Sequence, residues 1–320
     1  MSTKTAAYGT TVTRTPSIAS TAAPPYTADA ARADVELAAG RASLSSAADH
    51  DDDAAPPAYT AGADFVPTLQ LQIQTPGKPW LSLPLPPRPD PIPVFAVDAA
   101  TGALDDAAGP AYTSLRPKRG SGNCVLVDAT GRPRSTTAYR FGPNRPARVV
   151  LFDPLAAPEA HDDEKAEEEE EEEAGWDAFP LVPKGLLTRA VTLQTRLGGF
   201  EWRYASRAER RAAGAASLLV LDRVTRVFGA GGREEEPARR PVAHLVRNEE
   251  LRSPGSGAST AGNGGRLLLD LRPWDGETKT DRAMVEVLAV TTAVSMLKKE
   301  VDRRRAQQIA IMMSGAGGGP

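Results

Sequence analysis

At 320 residues, with 41% apolar and only 5% aromatic residues, the chain has room for one large domain or two small ones, but its core is diluted by loops. A single cysteine, Cys124, excludes an internal disulfide framework and fits a reducing compartment. The formal charge of −3 is uneven: Glu159 to Glu173 holds eleven acidic residues and one lysine, so the remaining 30 acidic and 37 basic residues form a basic body of about +7.

In chain order, residues 1–63 are rich in Ala, Thr, Ser and Asp without a hydrophobic period, so they read as disordered. The opening MSTKTAAYGTTVTR lacks the apolar centre of a secretory signal, which makes the cytoplasm, or a membrane periphery facing it, the expected location. Order begins near Phe65. Leu69-Gln70-Leu71-Gln72-Ile73-Gln74 alternates at period two, the pattern of a half-buried strand. Six prolines between Pro84 and Pro93 force extended chain into a second strand at Pro93–Val97.

Short strands are then expected at Ala111–Leu115, Cys124–Val127, Thr136–Phe141 and Val149–Phe152. The acidic tract follows as a disordered insertion over 154–176. Beyond it come Leu187–Thr195 and Phe200–Tyr204 around Gly198-Gly199, a hairpin signal. Ser217–Leu221, Val224–Phe228, Val242–Val246 and Leu267–Leu271 bring the count to about twelve, with no helix expected among them. Regular short strands imply a sandwich or barrel.

The one expected helix comes last. Asp281 to Ser314 contains neither Gly nor Pro, and Gly315 supplies a stop. Within Ala283–Leu297 the only charge is Glu286, and Met284, Val285, Val287, Leu288, Val290, Val294, Met296 and Leu297 nearly encircle a helical wheel. A helix apolar all round must be buried all round, and burying those side chains contributes at most about 15 kcal/mol. The β-branched stretch Val285–Val294 also fits a final strand, but the charged continuation Lys298–Arg305 favours helix. The expected fold is therefore mostly β: a closed or nearly closed barrel of about twelve short strands around one hydrophobic C-terminal helix. The domain spans 64–312, the helix 281–312, and 313–320 form a flexible tail.

That order of elements, ending in Arg266-Leu267-Leu268-Leu269-Asp270-Leu271, a polar link and the helix, resembles the tubby C-terminal-like superfamily, which includes LURP-one-related proteins and phospholipid scramblases. The chain from Phe65 onward is also similar to uncharacterised proteins of filamentous fungi. The pieces that carry this are Tyr112-Thr113-Ser114-Leu115-Arg116-Pro117, Phe200-Glu201-Trp202-Arg203-Tyr204, Ala261-Gly262-Asn263-Gly264-Gly265-Arg266 and Met296-Leu297-Lys298-Lys299-Glu300-Val301-Asp302-Arg303. The resemblance implies a twelve-stranded barrel around a helix, and phosphoinositide binding, lipid movement or signalling. The superfamily's phosphoinositide-binding residues and the scramblase calcium segment have no counterparts here.

Catalysis has little support. His50 and His161 lie in low-complexity segments, and pairing His244 with Cys124 has no local basis. No zinc spacing, Walker loop or nucleophile elbow occurs, so no catalytic, metal or cofactor residue is expected. Ala261–Gly265 fits a turn better than a phosphate cradle, and Phe200, Trp202 and Tyr204 fit core better than a base-stacking face. Nucleic acid lacks a recognisable module.

Two partner classes remain. Pro56-Pro57-Ala58-Tyr59 is a PPxY motif, in which Pro56, Pro57 and Tyr59 would dock in a WW domain of a partner such as a ubiquitin ligase. Arg116, Lys118 and Arg119 form one basic cluster, Arg207, Arg210 and Arg211 a second, and Lys298, Lys299, Arg303, Arg304 and Arg305 a third. If two clusters share a rim, they would bind an anionic phospholipid surface, with Arg116, Lys118, Arg119, Lys298, Lys299 and Arg303 as the candidate contacts. The expected function is thus a non-enzymatic peripheral module for anionic headgroups, with a WW-recruiting adaptor as the alternative.

Overall fold

The computed structural model describes residues 65–78, 89–105, 107–118, 121–139, 146–153, 175–185, 188–225 and 237–315. Residues 1–63, with the PPxY motif, and all of the acidic tract up to 174 lie outside the described residues, as does Arg119.

Twelve strands, β1 (Leu69–Ile73), β2 (Ile92–Ala96), β3 (Tyr112–Leu115), β4 (Cys124–Asp128), β5 (Pro133–Ala138), β6 (Ala147–Leu151), β7 (Asp177–Pro183), β8 (Val191–Thr195), β9 (Gly198–Tyr204), β10 (Ser217–Thr225), β11 (Ala238–Arg247) and β12 (Arg266–Leu269), form the sheet. Each pairs antiparallel with its neighbours in sequence, and β1 closes on β12 with Leu69 opposite Leu269 and Leu71 opposite Leu267. Closure leaves no edge strand to pair with another chain. Period-two alternation turns Leu71 and Ile73, Phe200 and Trp202, Leu219 and Leu221, and Leu267 and Leu269 into one core.

The helix α2 (Lys279–Gly315) runs through this core. From Met284 to Leu297 every residue except Glu286 is buried, whichever face it occupies, so the apolar wheel is matched by a wall on all sides. Polar groups set its depth and rotation. Trp202 Nε1 of β9 donates to Thr292 Oγ1 at 2.9 Å, which in turn bonds the Leu288 carbonyl at 2.7 Å. Ser135 Oγ of β5 and Thr291 Oγ1 share a hydrogen bond of 2.6 Å, and Tyr112 of β3 donates to Glu286 at 2.9 Å. A rotation of the helix would leave these buried groups unpaired, at about 1–3 kcal/mol each. Trp274, in a 3₁₀ turn (Arg272–Trp274) between β12 and α2, stacks on Phe200 with centroids 6.3 Å apart and closes that end.

The twelve strands are not quite the expected twelve. Ser217–Leu221 and the start of Val224–Phe228 join as the single β10, because Asp222 at their junction is neutralised: Arg203 of β9 meets it at 2.6 Å; residues 226–228 lie outside the described residues. β11 likewise extends back past Pro241, whose missing donor falls where a bulge shifts the register after Leu221. The count is restored by β7, unforeseen because Pro180 and Pro183 interrupt it; Pro180 is exposed on the outer face between the buried Phe179 and Leu181, and Pro183 is exposed at the strand's last position. Trp176, assigned to the insertion, packs against the core, and its N–H donates to the Leu151 carbonyl at 2.7 Å. A short helix α1 (Arg207–Ala212) also lies between β9 and β10, contrary to expectation. Its sequence signal is the capping box Ser206-Arg207-Ala208-Glu209, with Ser206 N–H donating to Glu209 at 2.7 Å. The final helix begins two residues before the expected 281 and ends three after 312.

Candidate anion-binding cavity

Where α2 leaves the barrel, the end of β9, the start of β10 and the end of β11 meet its charged continuation. Tyr204, Ser217 and Arg247 come from those three strands, and Arg303, Arg304 and Gln307 from the helix. The segment 252–263 forms the opposite lip. Together they enclose a cavity of about 400 Å³. Its lining contains five arginines, Arg189, Arg247, Arg252, Arg303 and Arg304, against one acidic residue, Glu300.

Glu300 organises the floor. Arg247 donates to its two oxygens from Nη1 at 2.6 Å and Nη2 at 2.7 Å, a bidentate pair. Tyr204 OH donates at 2.7 Å and the Gly262 amide at 3.0 Å. Burial works against the Glu300 charge, but Arg247, Tyr204 and Gly262 outweigh it and hold the carboxyl below its ordinary range. Burial and Glu300 together push the Tyr204 hydroxyl up, so it remains a donor. Arg247 is further held by Asn263 Oδ1 at 3.2 Å and Ser217 Oγ at 2.9 Å. Gly262 is required: its φ is +67°, and a Cβ there would lie 2.5 Å from the Leu297 carbonyl. Of the glycine-rich segment, one amide, that of Gly262, donates to the protein's own carboxylate, while the Ala261 and Gly264 amides donate to the Lys78 and Thr75 carbonyls.

The mouth is different. The guanidinium groups of Arg189 and Arg303 lie 5.6 and 5.9 Å from the Tyr204 ring centroid, both in cation–π contact with it. Arg252 Nε is spent on the Asn248 carbonyl, and Arg304 Nη2 on that of Ser259. Among the described residues, no carboxylate forms an ion pair with Arg189, Arg252 or Arg303. With Arg247 and Glu300 cancelling on the floor, the cationic charge faces outward.

Of the six anion contacts read from the sequence, Arg303 lines this cavity. Lys118 is exposed elsewhere, and Arg116 is bonded to the carboxylate and carbonyl of Asp90 at 2.6 and 2.8 Å. Lys298 turns to the other side of the helix, where it pairs with Asp302 and lies 4.5 Å from the Tyr139 centroid. Lys299 points to the barrel wall, its Nζ 3.5 Å from the Leu181 carbonyl; burial, then Arg303, pushes it down to about 8. At 100° per residue Lys298 is turned about 100° from Lys299 and about 140° from Arg303, whereas Lys299 and Arg303, at i and i+4, are neighbours on one face, with Lys299 directed to the wall and Arg303 to the cavity.

Arg189, Arg247 and Arg252 were not singled out, since each stands alone in sequence and only barrel closure joins them. Tyr204 was legible as the last aromatic of β9, and Arg304 as part of the final basic run. Phe200 and Trp202 are interior, as the core reading expected. His244 of β11 stacks on Phe65 with centroids 3.8 Å apart, while Cys124 sits on the non-adjacent β4. Among the described residues there is no group of three metal-ligating side chains, and no helix long and apolar enough to cross a membrane. Comparisons with family models, curated proteins and solved structures find no match to the chain.

Proposed function

We propose that the protein is a non-enzymatic binding module that takes an anionic phospholipid headgroup into the arginine-lined cavity. The observation that carries this is the charge asymmetry: the one acidic residue of the lining is already neutralised by Arg247, while among the described residues Arg189, Arg252 and Arg303 at the mouth form no ion pair with a carboxylate. Guanidinium forks match phosphate oxygens bidentately, and a volume of about 400 Å³ is in the range of small-molecule sites. Cation–π contact with Tyr204 orders Arg189 and Arg303 in advance, which lowers the entropy lost on binding. The tubby-like resemblance supports the same reading, and membership of that superfamily is proposed with it.

The test is flotation of the full chain with neutral, phosphatidylserine and phosphoinositide vesicles at low salt and at about 0.15 M. The expected result is a phosphoinositide preference that survives the higher salt. Each cation contributes about 1 kcal/mol, so Arg189→Ala/Arg252→Ala/Arg303→Ala should weaken binding roughly 150-fold. Absence of binding to every vesicle, or equal binding by the triple variant, would overturn the reading.

A second reading rests on Pro56-Pro57-Ala58-Tyr59, which would recruit a WW-domain protein. Tyr59→Ala abolishes binding to an immobilised WW domain on that reading and leaves vesicle flotation unchanged.

A further inference from the structure

Beyond the cavity, the last turns of α2 change character. Ile309, Ile311, Met312 and Met313 are 40, 54, 66 and 56% exposed, four of the seven large apolar side chains exposed among the described residues. They follow Arg303-Arg304-Arg305 after Ala306-Gln307-Gln308, and Ile309 to Met313 is an unbroken apolar run, Ile-Ala-Ile-Met-Met. Arg303, Arg304 and Gln307 line the cavity, and Ile311 lies one helical turn beyond Gln307 on the same face. At 1.5 Å per residue, Met312 stands about 7.5 Å past Gln307 along the axis.

We propose that this helix tip enters the interfacial layer of an anionic bilayer, so that the cavity receives its headgroup from a membrane against which the protein is already anchored. The inference rests on the headgroup reading of the cavity and adds the anchor. Charge complementarity selects the occupant. An apolar segment that penetrates about 5–10 Å, next to cations at headgroup depth, is the pattern of an interfacial anchor. A second copy of the chain is a poorer fit. Four side chains at about half exposure fall short of the ~800 Å² per partner that a stable protein interface buries, and the arginines beside them would face arginines. A bilayer sets no such area threshold, and the two attractions act together on it.

The test separates tip from cavity. In the full chain, Ile309→Ser/Met312→Ser/Met313→Ser should weaken partition to phosphoinositide vesicles at least tenfold. Calorimetric affinity for soluble inositol trisphosphate should stay within twofold, and the melting curve should be unchanged, because these side chains are exposed. Since Cys124 is buried, Met312→Cys can carry an environment-sensitive dye. Its emission should shift to the blue on vesicle addition and be quenched by a quencher placed just below the headgroups.

Equal vesicle partition by the triple variant, or a dye that stays in water, would overturn the anchor while soluble-probe binding keeps the cavity reading intact. Failure of the wild type to bind the soluble probe would overturn the cavity reading, and the dye then decides the anchor on its own. A concentration-dependent dimer abolished by the triple substitution in sedimentation would also overturn it, in favour of contact between copies.

Discussion

Replacing Glu300 by Gln probes the floor of the cavity directly. Glu300 is 8% exposed and accepts four hydrogen bonds, two of them from Arg247, itself 6% exposed. Glutamine keeps the shape but removes the charge, and in either orientation its amide nitrogen must face an Arg247 guanidinium nitrogen, together with the Tyr204 hydroxyl or the Gly262 amide. Removing one partner of a buried pair leaves an uncompensated charge, at about 3–5 kcal/mol. Chemical denaturation of wild type and Glu300→Gln at pH 7 should show that difference. Arg247→Met/Glu300→Gln should recover part of it, with a coupling energy of about 0.5–3 kcal/mol. The pH dependence has a definite sign. The folded carboxyl titrates below its unfolded value, so its contribution is present above the ordinary glutamate range and is lost as pH falls through the depressed folded value. The variant should lack that acid limb. A Glu300→Gln protein within about 0.5 kcal/mol of wild type, with an unchanged acid limb, would refute the view that this carboxylate is held by Arg247 in place of an external anion.

Other substitutions test the frame around it. Leu288→Ala removes a fully buried side chain from the middle of α2, where the surrounding wall cannot collapse, and should cost about 2–5 kcal/mol in urea denaturation. Gly262→Ala combines a left-handed backbone with a Cβ 2.5 Å from both the Leu297 carbonyl and Val301; thermal unfolding should show a loss of at least about 1–3 kcal/mol. Burial, then Arg203, pushes His244 down to about 4, so its neutral form is the folded one. Stability should therefore fall as pH drops from the ordinary histidine value of about 6.5 towards 4, by up to about 3 kcal/mol, and His244→Gln should flatten that slope.

Much of the architecture was legible because each piece is a local pattern. Leu69–Ile73 alternates at period two and becomes β1, and the all-round apolar wheel of Met284–Leu297 requires an enclosing wall, which twelve short strands supply. Legibility failed where a local rule was overridden by a distant partner. The strands expected on either side of Asp222 are one because Arg203 and Arg239 meet its carboxylate, and β7 holds Pro180 on its exposed face and Pro183 at its end. The α1 capping box was readable but attached to a helix of only six residues, too short to show an apolar period.

The cavity divides in the same way. Composition established a basic body, and the sequence placed the basic run Lys298–Arg305 beyond the apolar part of the final helix. Which cations meet was a tertiary decision. Closure of β1 on β12 and the depth of α2, set by Trp202, Ser135 and Tyr112, bring Arg247 to Glu300 across 53 residues of chain and Arg189 and Arg303 to one tyrosine ring. Side-chain periodicity records which face of its own element a residue occupies. The neighbour across the barrel is chosen by register and helix rotation, and those are set only when all the buried polar groups find partners at once.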